Sequence, residues 1–576
     1  MTEAEAAAAK KASNALRIPV EWCLKADAVK DRKNVTSVPA TCGILSASEL
    51  DITELDNVEL LLKRLAVGEW SAEEVTVAFC KRAAIAHQLT NCLSEFWFDD
   101  AIARARKLDT IRKESGPTGP LHGLPISLKD QFQVAGKECN MCWASWLGRI
   151  SEKNSCLVDS LLAAGAIIHT RTNMAQGAWF PEGDNHVYGR VDNPFNKDRV
   201  TGGSSAGEGP LAILKGSAIG VGTDIGGRQV KARFCPATFA QFHCHPDSVR
   251  IPASFNSVFG LRSTTRRLPY GCALNTLMGQ ENVQSCLGPM CSNLSGCIAF
   301  TRGVLSTEPW KSDASVVPMP WKEDEYLLSG IGGHSDAKLA IGVYDFDGEA
   351  HVHPPIRRAI ISMVEALKSA GHQGEWIEVI PWRPTNYSEA GDLIMRIFGA
   401  DGGDDLRSVV QGTGETIMPQ VVVGDKDGVS VFETYQYNRA KSAFCNQILQ
   451  QWQLTVNETT TGRPIDAILC PVAPYVAPPH RQSKYIKYTS VYNLLDWPAL
   501  AIPATYVDPA VDFADAGYVA TSEVDQACKD LWDPTSSAGM PVGLQLVGQN
   551  FQEERLLGVA EIVMKAYVAA GHSLKV

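Results

Sequence analysis

A helix, a glycine and a β-branched strand recur in that order along this chain, and the alternation limits its fold more than any other feature. Residues 155–164 (SCLVDSLLAA) carry the apolar spacing of a short helix, Gly165 stops it, and residues 166–170 (AIIHT) read as a strand. The theme returns as a helix over 355–370, Gly371 and a strand near 376–380, and near the C-terminus as a buried strand in GLQLVG followed by a helix over 552–570. Upstream, Ser71 and Glu74 have the spacing of a capping box, and Val75, Phe79, Ala83 and Ala86 then recur at helical spacing, so the pattern predicts a helix over 71–88. Such alternation predicts an α/β sandwich around a mostly buried sheet. No internal repeat or low-complexity linker divides the chain, so the simplest organisation is a helical N-terminal extension over 1–60 and one catalytic domain over 61–576. Segments near 310–336 and 506–535, rich in Pro, Asp, Ser and Lys, are expected as surface loops.

The chain has 576 residues, 45% of them apolar, enough for a large core. A net charge of −11 with both signs scattered argues against binding nucleic acid by phosphate neutralisation. The first residues lack the apolar run of a secretory signal, and no stretch approaches the roughly 18 apolar residues of a membrane helix, so a cytoplasmic protein is expected. Sixteen cysteines are dispersed without a framework spacing and read as reduced, buried small hydrophobes. Cys139 and Cys142 form a C-x-x-C with no second ligand pair at zinc distance, which favours packing. Cys235, His243, Cys244 and His245 are a denser group, but adjacent His-Cys-His positions converge poorly on one tetrahedron.

Chemistry concentrates between Thr201 and Gly227, in TGGSSAGEGPLAILKGSAIGVGTDIGG. Glycines flanking two hydroxyls let the backbone approach a ligand closely and aim several amides at one point. The run lacks both the GK(S/T) ending of a P-loop and the regular G-x-G-x-x-G of a dinucleotide fold, so a nucleotide site is a poor reading.

GGSSAGEG at 202–209, GVGTDIGG at 220–227 and LHGLPISLKDQF at 121–132 resemble the hallmark runs of the amidase signature family. VYGRVDNPFN, SVFGLR, RLPYG, CPVAPYVAPPH, YTSVYNLLDWPAL and MPVGLQLVG extend the likeness over most of the chain and lean to its acetamidase-like, fungal branch. The resemblance implies the amidase-signature fold, a central twisted mixed β-sheet covered on both faces by helices. It implies hydrolysis of a carboxamide to carboxylate and ammonia or amine through an acyl-enzyme, with Lys129 as base, Ser204 as bridging serine and a serine after the glycine pair as nucleophile. Backbone amides around Ile225, Gly226 and Gly227 would hold the oxyanion. Neither metal nor organic cofactor is required, the partner is a small-molecule amide, and a homodimer is open. Ser205 is expected to cap the helix that follows, Asp224 to shape the loop by accepting hydrogen bonds, and His122 and His186 to be structural. Trp179, Phe180 and Trp497 are candidates for the pocket wall or equally for the core.

The pattern breaks after Gly227, where the family has a serine and this chain has Arg228. A guanidinium neither deprotonates nor attacks a carbonyl. The expected continuation, SVRIPAS, stands downstream at 248–254. Residues 228–247 (RQVKARFCPATFAQFHCHPD) therefore read as an insertion, and without them Ser248 follows Gly227 and the motif is whole. Twenty codons make sixty nucleotides, the length of a short in-frame intron, so retained intron and true insertion are both open. Ser248 is the expected nucleophile, with activity impaired while the segment is present. Two rival readings are an inactive amidase-like protein that binds a small molecule, and an A-type subunit of a tRNA-dependent amidotransferase. The fatty-acid-amide branch fits less well because no N-terminal membrane helix is present.

Overall fold

The computed structural model describes residues 3–25, 29–225, 249–370, 377–421, 423, 427–483, 485–513 and 517–573. Eleven strands form one mixed sheet: β1 (Leu93–Phe96), β2 (Pro125–Lys129), β3 (Ile167–Thr172), β4 (Ile219–Asp224), β5 (Phe259–Arg262), β6 (Cys286–Cys291), β7 (Leu339–Val343), β8 (Ile377–Pro381), β9 (Ala467–Pro471), β10 (Ala499–Tyr506) and β11 (Pro541–Val547). Their spatial order is β1-β3-β2-β4-β6-β5-β10-β11-β9-β7-β8. The β3-β2-β4 and β9-β7-β8 neighbours run parallel, and the strands between them pair antiparallel. Successive strand residues face opposite sides, and every residue of β2, β3, β4, β6, β9 and β11 is buried. Both faces of the sheet are therefore covered, so even the polar residues of these strands, such as His169, Arg171 and Asp224, are buried.

The local signals behave as their chemistry requires. Ser71 Oγ accepts from Glu74 N at 3.1 Å while Glu74 accepts from Ser71 N at 2.8 Å, and the helix runs Ala72–Thr90. Helix Cys156–Ala163 ends before Gly165, whose φ of +89° is open to glycine at little cost, and β3 follows. The helices Pro354–Ala370 and Glu553–Ala569 stand where periodicity puts them, and Gly371 lies outside the described residues. Helix Glu3–Leu16 lies along the edge strand β1, where Asn14 donates to Ser94 O at 2.7 Å and Arg17, just past the helix, pairs with Glu95 at 2.9 Å. That packing shields a sheet edge that would otherwise be open to foreign strands.

The two expected surface loops differ from the expectation. The region 310–336 contains the short helices Glu323–Tyr326 and Gly333–Asp336 and buries Tyr326 and Leu328, while 506–535 contains helix Glu523–Lys529 and buries Asp512, Asp525 and Cys528. Helices of four to seven residues complete too few turns to show a period, and a few buried anchors per segment are invisible to a composition argument.

The long helix Val431–Leu454 rests on the body through few side chains, Phe444, Ile448 and Trp452. Trp452 sits edge-on to Trp382 and Trp497, with ring centroids 6.1 and 5.1 Å away. Trp452→Ala should cost about 3–5 kcal/mol, read as a lower urea midpoint with an unchanged m-value; an unaltered midpoint would show that the helix is held elsewhere.

Candidate active site

Lys129 is the last residue of β2, and the parallel neighbour β4 ends beside it in the register Leu128↔Val221. The side chain of Lys129 is fully buried, and its amine donates to Ser204 Oγ at 2.6 Å and to Thr223 Oγ1 at 2.8 Å. Thr223 Oγ1 donates onward to Gln131 Oε1 at 2.6 Å. Burial pushes the lysine pKa well below its ordinary 10.5, against the opposing pull of Asp224, Cys142 and Glu208. The amine is thus biased toward its neutral form, the only form with a lone pair to accept a proton.

The glycine-rich run that brings Ser204 to Lys129 is pinned from several sides. Ala175 N donates to Ser204 O at 3.3 Å, Gly207 N to Asn173 O at 2.8 Å, and Asn256 Nδ2 to Thr201 O at 2.8 Å. The Gly203–Ser204 peptide is cis. Close approach explains two of the glycines: a Cβ on Gly203 would lie 2.6 Å from Glu182 N, and one on Gly222 would lie 2.7 Å from Ser205 Oγ.

Ser205 does not act as a helix cap. The following helix, Glu208–Ile213, has Gly207 at its N-cap, and Ser205 Oγ instead accepts from Thr223 N at 3.2 Å and donates to Thr223 O at 3.4 Å. A hydroxyl beside a strand end found a stronger pair of backbone partners across the loop than along it. Glu208, which the sequence did not single out, is fully buried beneath the lysine and accepts from Ser127 Oγ at 2.7 Å and Thr172 Oγ1 at 2.9 Å. It ties the loop to β2 and β3, and burial raises its pKa to about 8.

Asp224, at the end of β4, accepts from Asn493 Nδ2 at 2.6 Å and from Arg250 Nε and Nη2, each at 3.3 Å. Arg250 is fully buried and also donates to Asn493 Oδ1 at 2.7 Å, Thr489 O at 3.1 Å and Gln545 Oε1 at 3.1 Å. Asp224 and Arg250 stand on either side of residues 226–248 in the chain, and this pair holds those flanking positions together. Arg250 lies inside the SVRIPAS run, and its sole sequence signal is a charge set among apolar neighbours.

Of the anticipated site residues, Lys129 and Ser204 meet, and Ile225 is half-buried just beyond β4. Gly226, Gly227 and Ser248 lie outside the described residues, as do Arg228, Cys235, His243, Cys244 and His245. His122 is buried and accepts from Thr118 N at 3.1 Å, and His186 meets Thr416 Oγ1 at 3.2 Å. Trp179 and Phe180 are buried in a second apolar cluster with Met141, Trp143, Leu406 and Met418, where Trp179 donates to Thr276 Oγ1 at 2.7 Å. Trp497 belongs to the main core. The thiols of Cys139 and Cys142 approach separate acceptors, Asp130 Oδ1 and Asn173 Oδ1, each at 3.6 Å.

The Amidase family profile matches residues 74–229 and 246–557 of this chain. The chain belongs to the amidase family, and it is an amidohydrolase acting on amides. It is similar to an acetamidase of Emericella nidulans, 40% identical over 567 residues that cover 97% of each chain, and to an acetamidase of Aspergillus oryzae, 38% identical over 97% of this chain and 98% of that one. Among solved structures, a fatty acid amide hydrolase superposes with a TM-score of 0.86 at 29% identity, over 99% of this chain and 95% of the other. A peptide amidase from Stenotrophomonas maltophilia, with a TM-score of 0.65 at 19% identity over 89% and 97%, shares the fold. Among the described residues, no helix is long and apolar enough to cross a membrane.

Two outcomes test this geometry. Arg250→Leu leaves Asp224 buried without its guanidinium and should cost about 3–5 kcal/mol by urea denaturation, whereas a near-neutral change would mean that Asn493 suffices. Glu208 binds its proton more tightly folded than unfolded, so its contribution is complete below about pH 4.5 and is lost as pH rises toward about 8. Glu208→Gln should flatten that decline, and an unchanged slope of stability against pH between these limits would assign the decline to another group.

Proposed function

We propose that this chain hydrolyses small aliphatic carboxamides of the acetamide type to a carboxylate and ammonia through a Ser-Ser-Lys triad of Lys129, Ser204 and Ser248. The observation that carries the reading is the 2.6 Å contact from the Lys129 amine to Ser204 Oγ, with both side chains buried. A neutral amine takes the proton of Ser204 while Ser204 takes that of Ser248, since a hydroxyl donates and accepts at once. Ser248 Oγ then attacks the amide carbon, and the oxygen of the tetrahedral intermediate lies against backbone amides around Ile225, Gly226 and Gly227. Collapse expels ammonia, which leaves with the proton returned through Ser204, and an ester joins the acyl group to Ser248. Water, deprotonated along the same relay, cleaves the ester and frees the carboxylate.

Residues 228–247 interrupt this machinery. The unmatched interval 230–245 within the family profile and the clamp between Asp224 and Arg250 support reading them as an insertion between segments that belong together. A long loop costs little in closure entropy, but displacing the nucleophile by about 1 Å can cost roughly 10²-fold in rate. Arginine in place of the family's serine at position 228 favours, for the full chain, the alternative of a protein that binds amides with little turnover.

The test compares four proteins by ammonia release from acetamide: the chain as written, the chain lacking 228–247, and that shorter chain with Lys129→Ala or Ser248→Ala. Deletion should raise kcat at least about tenfold, and either substitution should then remove about 10³-fold or more. Equal rates with and without the segment would refute the impairment, and full activity in the Lys129→Ala protein would refute the triad. In the shorter chain kcat/KM should rise with pH through a lysine pKa below the ordinary 10.5, because only the neutral amine accepts the proton.

A further inference from the structure

Outside the buried relay, two cysteines stand on adjacent backbone stretches near the surface. Cys156, half-buried, opens the helix Cys156–Ala163, and Cys272 is exposed on the segment that follows Tyr270. Cys156 N donates to Gly271 O at 2.9 Å, so the two stretches of backbone lie side by side and place Cys156 next to Cys272, while the Cys156 thiol itself donates to Ser312 O at 3.8 Å. Such an approach is what a disulfide needs, with its Cα atoms about 4.4–6.8 Å apart. Cys272 has a φ of +59°, a left-handed conformation that disfavours any side chain with a Cβ, yet a cysteine and not a glycine occupies it. Cys291 and Cys297 are both sealed in the core, out of reach of a soluble oxidant.

The segment carrying Cys272 reaches the site through a short chain of hydrogen bonds. Leu274 N donates to Gln131 O at 2.8 Å and Gln131 Nε2 donates to Leu274 O at 3.1 Å, while Gln131 Oε1 accepts from Thr223, the neighbour of the Lys129 amine. On the other side of the pair, Gln133 Nε2 donates to Cys272 O at 2.6 Å and Gln133 O accepts from Ser155 N at 2.9 Å. Any shift of Cys272 toward Cys156 is therefore passed to Gln131 and Gln133, two and four residues past Lys129.

We propose that Cys156 and Cys272 are a modification site, forming a reversible disulfide that sets the position of Gln131 and Thr223 around the Lys129 amine. Burial, with smaller contributions from Asp313 and Cys272, pushes the Cys156 thiol up to about 11, so the exposed Cys272 meets the oxidant first. With hydrogen peroxide as oxidant, the Cys272 thiolate attacks one peroxide oxygen, giving a sulfenic acid and hydroxide. The Cys156 sulfur then attacks the sulfenic sulfur, the S–S bond forms, and the oxygen leaves as water with the thiol proton. Two thiols and one peroxide become one disulfide and two waters, and a dithiol reductant reverses the change with two electrons and two protons.

The bond itself is independent of the catalytic reading, whereas its effect on turnover rests on that reading. Full-length protein treated with hydrogen peroxide should lose the mass of two hydrogens and give a linked Cys156–Cys272 peptide under non-reducing digestion, and Cys156→Ser or Cys272→Ser should each abolish the link. Recovery of Cys156 and Cys272 as separately alkylated residues after oxidation would overturn the site. In the chain lacking 228–247, oxidation should slow ammonia release about tenfold, with recovery in dithiothreitol and no response in Cys272→Ser. A complete link with unchanged turnover would overturn the coupling to Lys129, and because the link is read by mass, loss of the triad hypothesis would leave that first result standing.

Discussion

An amine held away from water at the end of a parallel strand is the constraint around which the rest of this molecule is arranged. A lysine there is costly in its charged form, and its amine meets hydroxyls among the described residues: Ser204 and Thr223 accept hydrogen bonds from it. The carboxylates near it have other work. Glu208 binds Ser127 and Thr172, and Asp224 binds Arg250 and Asn493, so each ties backbone segments together around the amine. A buried charge pair such as Asp224–Arg250 contributes little net stability by itself, but it makes one arrangement of the flanking segments far better than its alternatives.

That clamp also gives physical sense to the interruption. Extra residues are tolerated where the ends of a loop are already held together, because the body of the fold does not notice the loop's length. Here the ends are β4 and the helix Arg250–Phe255, and the contacts across them involve Asn493 and Gln545 from distant parts of the chain. The fold is thus compatible with the insertion proposed over 228–247 even though the chemistry proposed for the site demands continuity between Gly227 and Ser248. Stability and activity place different requirements on the same junction.

Much of the site was legible because its motifs are local. Lys129 stood in an apolar strand pattern, and Ser204 stood among glycines whose crowding against Glu182 and neighbouring loops only a missing side chain permits. What escaped were residues whose role depends on partners far along the chain. Arg250 reaches Thr489, Asn493 and Gln545, and nothing in its own neighbourhood predicts them. Ser205 was misassigned for a related reason: a local capping pattern suggested one use for its hydroxyl, and a strand brought alongside by the fold supplied a better one.

The sequence by itself determined the alternation of helices and strands, the capping of the helix after Ser71, and the kinship carried by its long motifs, because each depends on residues a few positions apart. Tertiary structure alone decided that Lys129 is stripped of water, that Glu208 holds its proton near neutrality, and that the backbones carrying Cys156 and Cys272 lie side by side. Desolvation and proximity are properties of neighbours in space, and a sheet ordered β1-β3-β2-β4-β6-β5-β10-β11-β9-β7-β8 brings together neighbours that chain order does not reveal.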